Sequence, residues 1–351
     1  MPCPENPFLC KRKKMKKVVI DLWSNPQVLK KLKSNPELQI ECTDFTQESK
    51  RPLPVDMIKD ANILLCAFPP DNFAEMKKIE LIQVCSAGYT QLYGLDLVNK
   101  KVRACNGRGV FDTPIAEWNI AMMINLARDL RGMIRNQEDG LFTAPAQFQN
   151  EIGGKTVGIW GYGGIGRQTA RLCKMLSMTV RVMDVVPIGP QKNVYIVPGT
   201  GDPEGKLPDK TYTPEQKKEF LTGLDFLILT MPLTKKNEGI IGENELNTLP
   251  PHAYLLNPAR GPLVHEQALL NALRKGTIAG AALDTHWYYP LPADHAIRRF
   301  PNVIITPHIS GSALSPNFLT RVYDIFTQNC ERFVANKPLL NELSEAQLNG
   351  Q

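Results

Sequence analysis

Two α/β domains, each a parallel sheet with helices on both faces, are what this sequence predicts, and three observations carry that expectation. Short apolar runs alternate with helical and turn segments along nearly the whole chain, as in βα units whose strands are buried on both faces. A glycine-rich turn, with Gly161, Gly163 and Gly166 at GxGxxG spacing, stands between one such run and a helical segment. The third is length: 351 residues exceed one ordinary core and suit two domains of moderate size.

In chain order, Val18 to Trp23, Asn62 to Ala67, Leu81 to Ser86 and Val102 to Cys105 read as short buried strands. Together they predict a smaller flavodoxin-like domain. Ala116 to Leu126 (AEWNIAMMINL) is an apolar helix running into Arg128, Arg131 and Arg135, expected to begin the bridge between domains. Val157 to Trp160 is a buried strand, after which Gly161 permits a tight turn, Gly163 lets backbone approach a pyrophosphate and Gly166 lets helix pack on strand. The helix that follows aims its free N–H groups and positive dipole end at the phosphates. Val180 to Met183 form the next strand and end in Asp184, near the spacing of about 20 residues at which a carboxylate binds the adenosine ribose hydroxyls. Such a carboxylate repels a 2′-phosphate, so NAD is the expected cofactor.

Pro187 to Pro214, rich in proline, glycine and polar residues, reads as a long loop beside the adenosine site, and Lys192 within it leaves NADP open. Strands at Phe226 to Thr230, Ala253 to Asn257, Ile278 to Asp284 and Val303 to Thr306 complete a doubly wound, Rossmann-like sheet. Phe318 to Ala335 is helical in pattern and is expected to fold back onto the first domain. The expected division is residues 1–118 with 312–351 for the smaller domain, and 119–311 for the cofactor domain.

A hydrophobic fraction of 43% and a charged fraction of 22% are those of a globular protein. No apolar run approaches the ~18 residues of a membrane span and the N-terminus has no apolar leader core, so a cytoplasmic protein without membrane association is expected. Of the net charge of +6, part lies in Lys11, Arg12, Lys13, Lys14, Lys16 and Lys17, ahead of the first strand. That run reads as a solvated tail, with no nucleic-acid partner. The eight cysteines form no CxxC pair and no cluster with histidine, which predicts reduced thiols and no metal site.

His308 differs from the other histidines in directly following a strand, at the carboxyl edge where α/β sheets bind ligands. Arg260 is similarly placed after the strand ending at Asn257. A planar guanidinium presents forked donors to a carboxylate, and imidazole titrates where proton transfer is efficient. Asp284, also at a strand end, reads either as an acid supporting the site or as a turn cap.

Leu81 to Tyr89 (LIQVCSAGY), Ala116 to Trp118 (AEW), Asp225 to Thr234 (DFLILTMPLT), Asn257 to Val264 (NPARGPLV), Gly280 to Asp284 (GAALD) and Thr306 to Ser310 (TPHIS) occur in one order. With them the chain, from Lys16 to Leu343, resembles the D-isomer-specific 2-hydroxyacid dehydrogenases. That resemblance implies an NAD-dependent 2-hydroxyacid dehydrogenase or 2-oxo acid reductase, with hydride passing between the nicotinamide and C2 of the substrate. It implies that Arg260 binds the substrate carboxylate and polarises its carbonyl, and that His308 is the acid in reduction and the base in oxidation. Ala87 and Gly88 would supply further carboxylate contacts. Cofactor contacts are implied at Gly161, Gly163, Gly164, Ile165, Gly166, Asp184, Met231, Pro232, Asn257, Ala259, Asp284 and His308, and a homodimer through the cofactor domains.

One departure stands out. The family has a glutamate before the proline of a DxxxxEP segment, paired with the catalytic histidine, whereas here Tyr289 precedes Pro290, seventh in the run from Asp284. A neutral phenol does not stabilise an imidazolium as a carboxylate does, so His308 is expected to hold its proton less tightly, with Asp284 as a possible compensating acid. The similar formate dehydrogenases carry glutamine there and asparagine where Phe111 stands. His286, Trp287, Tyr288 and Tyr289 read equally as a pocket for a bulky 2-oxo acid or as packing. The substrate itself is not legible: glyoxylate, hydroxypyruvate, pyruvate and larger 2-oxo acids all suit the motifs. An NAD-sensing corepressor or scaffold without turnover is the alternative, which the altered pair favours and the presence of both Arg260 and His308 opposes.

Overall fold

The computed structural model describes residues 15–45, 49–142 and 149–350; Lys11 to Lys14, Cys3 and Cys10 lie outside them. The chain opens with β1 (Lys16–Asp21), α1 (Pro26–Lys33), β2 (Leu38–Cys42), α2 (Val55–Ile58), β3 (Ile63–Cys66), β4 (Leu81–Val84) and β5 (Arg103–Cys105). Then come α3 (Asp112–Ala127), α4 (Leu130–Glu138), β6 (Thr156–Trp160), α5 (Gly164–Met175), β7 (Thr179–Met183), β8 (Lys210–Tyr212) and α6 (Lys217–Leu221). β9 (Phe226–Leu229), α7 (Glu243–Thr248), β10 (Tyr254–Asn257), α8 (Glu266–Lys275), β11 (Gly280–Leu283), β12 (Val303–Ile305), α9 (Pro316–Val334) and α10 (Glu345–Leu348) complete it.

These elements form two compact units. The first comprises Met1–Arg108, Asn193–Tyr195 and Ser315–Gln351; the second comprises Gly109–Lys192 and Ile196–Leu314.

The first unit holds a parallel five-stranded sheet in the order β2-β1-β3-β4-β5, the flavodoxin-like order. Its central strands are largely apolar because both faces are covered: Ile63, Leu64, Leu65, Leu81 and Ile82 are fully buried. α9 returns to this unit, where Tyr323 Oη donates to the Trp23 carbonyl at 3.0 Å. β2 was not anticipated. It is an edge strand, only Leu38 of it is buried, and it pairs in register from Lys16↔Leu38 to Ile20↔Cys42. Lys16 and Lys17 do not precede the first strand, as the sequence suggested, but open it. Lys16 pairs with Glu80 and Lys17 with Glu41, each at 2.7 Å.

The second unit holds a parallel seven-stranded sheet in the order β12-β11-β10-β9-β6-β7-β8. Its strand order reverses between β6 and β9, which creates a crevice beyond their carboxyl ends. One face packs Trp160, Phe220, Leu227 and Leu255, and the other packs Val157, Ile159, Ile228 and Leu256. The apolar helix expected over Ala116 to Leu126 lies within α3, and the arginines that follow it lead into a second helix, since Asp129 adopts φ +48° and its side chain accepts from the Gly132 N–H to start α4. Arg131, on α4, donates to the Phe300 carbonyl at 2.6 Å and to those of Val303 and Arg298.

The segment from Pro187 to Pro214 is no plain loop. It contains β8, which pairs with β7. Buried Arg167 of α5 donates to the carbonyls of Tyr162 (3.1 Å), Gly189 (2.8 Å) and Asp202, and Tyr162 Oη donates to Asp202 Oδ2 at 2.8 Å. Between these anchors the chain leaves its own unit. Asn193 O accepts from Asn341 N at 2.9 Å, Tyr195 N donates to Asn341 Oδ1 at 3.1 Å, and Tyr195 Oη donates to Asp324 Oδ2 at 3.0 Å. Tyr195 is buried there.

Among the described residues, no helix is long and apolar enough to cross a membrane, no group of histidine, cysteine and acidic residues could hold a metal ion, and none of the six cysteines is in a disulfide.

Candidate functional site

The glycine turn is shaped by close approach. Gly161 has φ +101°, a region L side chains avoid, and a Cβ on it would lie 2.7 Å from Met231 N at the end of β9. A Cβ on Gly166 would lie 2.3 Å from the Gly161 carbonyl oxygen, so helix and turn touch backbone to backbone. At Gly163 no atom stands within 4 Å of a Cβ, which leaves the turn open outward. α5 begins at Gly164 and Ile165, and its N-cap residue, Gly163, has no side chain to cap the first N–H groups. Thr230 Oγ1 donates to the Gly161 carbonyl at 2.6 Å and fixes the turn against β9, before buried Met231 and exposed Pro232. Asp184, at the end of β7, accepts from the N–H groups of Tyr162 and Val186, which anchors its carboxylate beside the turn. An open, glycine-lined helix N-terminus beside a carboxylate fits a dinucleotide with its diphosphate on the helix.

Three adjacent strand ends carry the chemistry. After β10, the amide of Asn257 is buried and spent on the turn that follows: Oδ1 accepts from Ala259 N at 3.1 Å and Arg260 N at 3.3 Å, and Nδ2 donates to Arg260 O at 2.9 Å. Arg260 is exposed, with Nη1 on the Ala259 carbonyl at 2.6 Å. The next residue, Gly261, lies against the backbone of His286, and a Cβ there would stand 2.2 Å from His286 C and O. Gly261→Ala is therefore expected to destabilise the protein by about 1–3 kcal/mol, since backbone yields less readily than a side chain. Urea unfolding checks it.

Asp284, at the end of β11, is fully buried. Its carboxylate accepts from Thr306 Oγ1, Ile309 N at 2.9 Å, Ser310 N at 3.0 Å and Ser310 Oγ. The acceptor sites of Asp284 are thus taken by the loop after β12 rather than by the His308 ring. Trp118 of α3 braces the same loop, donating from Nε1 to Thr306 Oγ1 at 3.2 Å. His308 rides on that loop with φ +59°, a left-handed conformation that is held because its N–H donates to the carbonyls of Asp284 at 2.8 Å and Thr306 at 3.0 Å.

Tyr289 does face His308: its Oη lies 3.1 Å from Nδ1, and the rings stand 5.6 Å apart. Oη also accepts the His286 N–H at 3.2 Å. The outer edge of His308 is exposed, but the packing of Tyr289 on its Nδ1 side costs the charged form its hydration. That partial burial, reinforced by the Arg260 and His286 charges and opposed by Asp284, holds the imidazole below its ordinary value of 6.5. Burial raises the phenol of Tyr289, with Asp284 acting the same way and the His286 N–H and Arg260 opposing. Both partners are thus driven toward their neutral forms.

Buried His286 donates from Nε2 to the Thr306 carbonyl at 2.8 Å, and its buried Nδ1 has no hydrogen-bond partner. Trp287 stacks on His295 at 5.9 Å and donates to the Val264 carbonyl at 2.7 Å, while Tyr288 donates to Glu266 at 3.1 Å.

Ala87 and Gly88 belong to the first unit, beyond the carboxyl end of β4. Asn106 Nδ2 holds the Ala87 carbonyl at 2.7 Å and Ser86 Oγ holds that of Gly88 at 2.7 Å. In a trans peptide this turns the Gly88 N–H away from Asn106.

Sequence reasoning missed Asp112, the first residue of α3. Its carboxylate is buried against α5, so that a Cβ on Gly164 would stand 1.8 Å from Oδ2 and 2.5 Å from Cγ. An extra glycine inside the glycine motif was the signal available.

The family model that matches is the NAD-binding domain of D-isomer specific 2-hydroxyacid dehydrogenases, over residues 120–310. A glycerate dehydrogenase of Methylorubrum extorquens is 30% identical over 303 residues, 81% of this chain and 86% of that relative. A glyoxylate reductase of Thermofilum pendens is 28% identical over 288 residues, 78% of this chain and 81% of that relative. A solved D-lactate dehydrogenase with NAD+ from Lactobacillus jensenii is 25% identical, with a TM-score of 0.73, covering 94% of this chain and 100% of that one.

Proposed function

The chain belongs to the D-isomer-specific 2-hydroxyacid dehydrogenases, NAD-binding oxidoreductases of CH–OH groups, and from that premise we propose that it interconverts a 2-oxo acid and its 2-hydroxy acid with Arg260, His308 and Tyr289 at the reacting carbon. The observation that carries this reading is the His308–Tyr289 contact at 3.1 Å, with the Arg260 charge felt at both rings.

When bound on the glycine turn, NADH supplies hydride to C2. Arg260 offers two parallel N–H groups to the substrate carboxylate and leaves positive charge beside the carbonyl oxygen as it gains electron density. His308 Nε2, on the side away from Tyr289, gives its proton to that oxygen in reduction and removes it in oxidation. Tyr289 Oη, already accepting one N–H, presents either its proton to neutral His308 or a lone pair to the imidazolium, so it orients the ring in both states. Asp284 and Asn257 act through the loops they hold.

Because Trp287 and Tyr288 are taken by His295, Val264 and Glu266, the side chains left to meet a substrate are Tyr289 and Ile309, exposed by 60% and 57%. They favour an apolar 2-oxo acid side chain over the bare glyoxylate. We also place the protein in the cytoplasm, and as a homodimer through α3 and α4, where Ile124, Leu130 and Ile134 are exposed.

Turnover tests the reading. NADH, with NADPH in parallel, is expected to be oxidised in the presence of a 2-oxo acid from a panel running from glyoxylate to phenylpyruvate. Arg260→Ala should raise KM for that acid about 100-fold, the loss of roughly two charge-assisted hydrogen bonds, with NADH affinity retained. NADH binding with no turnover on any acid would overturn the enzyme reading in favour of a sensor or scaffold, which the phenol in place of a carboxylate favours.

A further inference from the structure

Residue 286 touches the supports of all three groups placed at the reacting carbon. Its main chain lies against Gly261, next to Arg260, where a Cβ on that glycine would stand 2.2 Å from His286 C and O. Its N–H donates to Tyr289 Oη at 3.2 Å, and its ring donates from Nε2 to the Thr306 carbonyl at 2.8 Å. That carbonyl also accepts the His308 N–H at 3.0 Å, one of the bonds that hold His308 at φ +59°. The first two contacts come from the backbone, and any residue would make them. Only the third needs this side chain.

The ring makes that contact at a cost. His286 is 4% exposed and its Nδ1 has no hydrogen-bond partner, so the side chain leaves one polar atom buried and unpaired. An apolar ring of similar size would avoid that penalty, and the Thr306 carbonyl would keep its bond from the His308 N–H. Stability alone therefore does not account for a histidine here. We propose that His286 is a positioning residue for the proton-transfer pair: its Nε2–H fixes the Thr306 carbonyl, and through it the His308 backbone, so that the imidazole stays against Tyr289. The proposal rests on the reading of His308 as the acid and base. It makes the pair a unit of three residues, built on the loops that follow β11 and β12.

Wild type is compared with His286→Gln, which keeps an N–H near the place of Nε2, and with His286→Phe and His286→Leu, which fill the space without a donor. Urea unfolding, the nuclear Overhauser contact between the ring protons of His308 and Tyr289, and kcat and KM for 2-oxo acid reduction are read in each. The apolar variants are expected to unfold at the same urea concentration as wild type or higher, and to lose the contact between the rings. Their kcat should fall about three- to tenfold, the loss of one hydrogen bond, with KM for the acid and NADH affinity unchanged. His286→Gln should recover the ring contact and most of kcat. An intact ring contact or a wild-type kcat in both apolar variants would overturn the proposal, as would a His286→Gln no better than they are. Lower stability or loss of folding in both overturns it too, because the ring would then serve the fold and not the pair. If wild type oxidises NADH with no acid, the dehydrogenase reading fails, and the ring contact still decides whether His286 holds the pair.

Discussion

His308→Asn is expected to cut 2-oxo acid reduction by about 10²–10⁴-fold, the usual range for a positioned proton donor, without loss of NADH binding. Asparagine is the suitable replacement, because position 308 has φ +59° and asparagine tolerates the left-handed region. The same residue sets the pH dependence. Reduction needs protonated His308, a form that is complete below its pKa and lost as pH rises through it. With the imidazole held below 6.5 by burial, Arg260 and His286, the rate of reduction should already be falling below pH 6.5, whereas oxidation, which needs the neutral ring, should stay level above it. Tyr289→Glu puts a carboxylate about 3 Å from Nδ1 and should move the falling limb toward alkaline pH. A wild-type limb that falls only in the alkaline range would sink this account of the pair.

Asp284→Ala is expected to destabilise the protein by on the order of 3 kcal/mol, and to lower turnover by a factor comparable to loss of His308 itself. The carboxylate is buried and holds four donors, among them the backbone of Ile309 and Ser310. Removing it strands those groups away from water, and a stranded buried donor costs about 1–3 kcal/mol. The left-handed backbone of His308 depends on the same loop, so the imidazole should lose its place beside Tyr289. Urea unfolding reads the first effect and kcat the second. Asp284→Asn separates them, since an amide accepts at only one oxygen and should recover part of the stability. Full activity in Asp284→Ala would show that the loop holds itself.

The central strands were legible because burial on both faces leaves little room for polar residues: VGIW of β6 and FLIL of β9 advertise themselves. β2 and β8 were not, for the opposite reason. LQIEC and KTY lie at sheet edges with one buried side chain each, and only the register of a neighbouring strand identifies them. The pairing of Tyr289 with His308 could be anticipated from motif alignment, since the segment after Asp284 keeps its spacing. The second contact of that phenol, with the His286 N–H, depends on a turn whose geometry no spacing encodes. Asp112 beside Gly164 and Arg167 on Asp202 lie dozens of positions apart, and side chains that meet by folding leave no periodic trace.

The excursion of Asn193–Tyr195 into the first unit limits what recombination can do with this protein. The cofactor unit looks like a cassette bounded by Gly109 and Leu314, ready for exchange with that of a relative. It is not one, because the loop leaving β7 carries two residues, Asn193 and Tyr195, whose partners, Asn341 and Asp324, sit beyond and in α9. A chimera joined only at the two outer boundaries would leave Asn341 and Asp324 facing a foreign loop, or none. The smallest portable piece is the cofactor unit together with the C-terminal segment that receives its loop, so in this protein inheritance of the cofactor site and of the C-terminus are tied together.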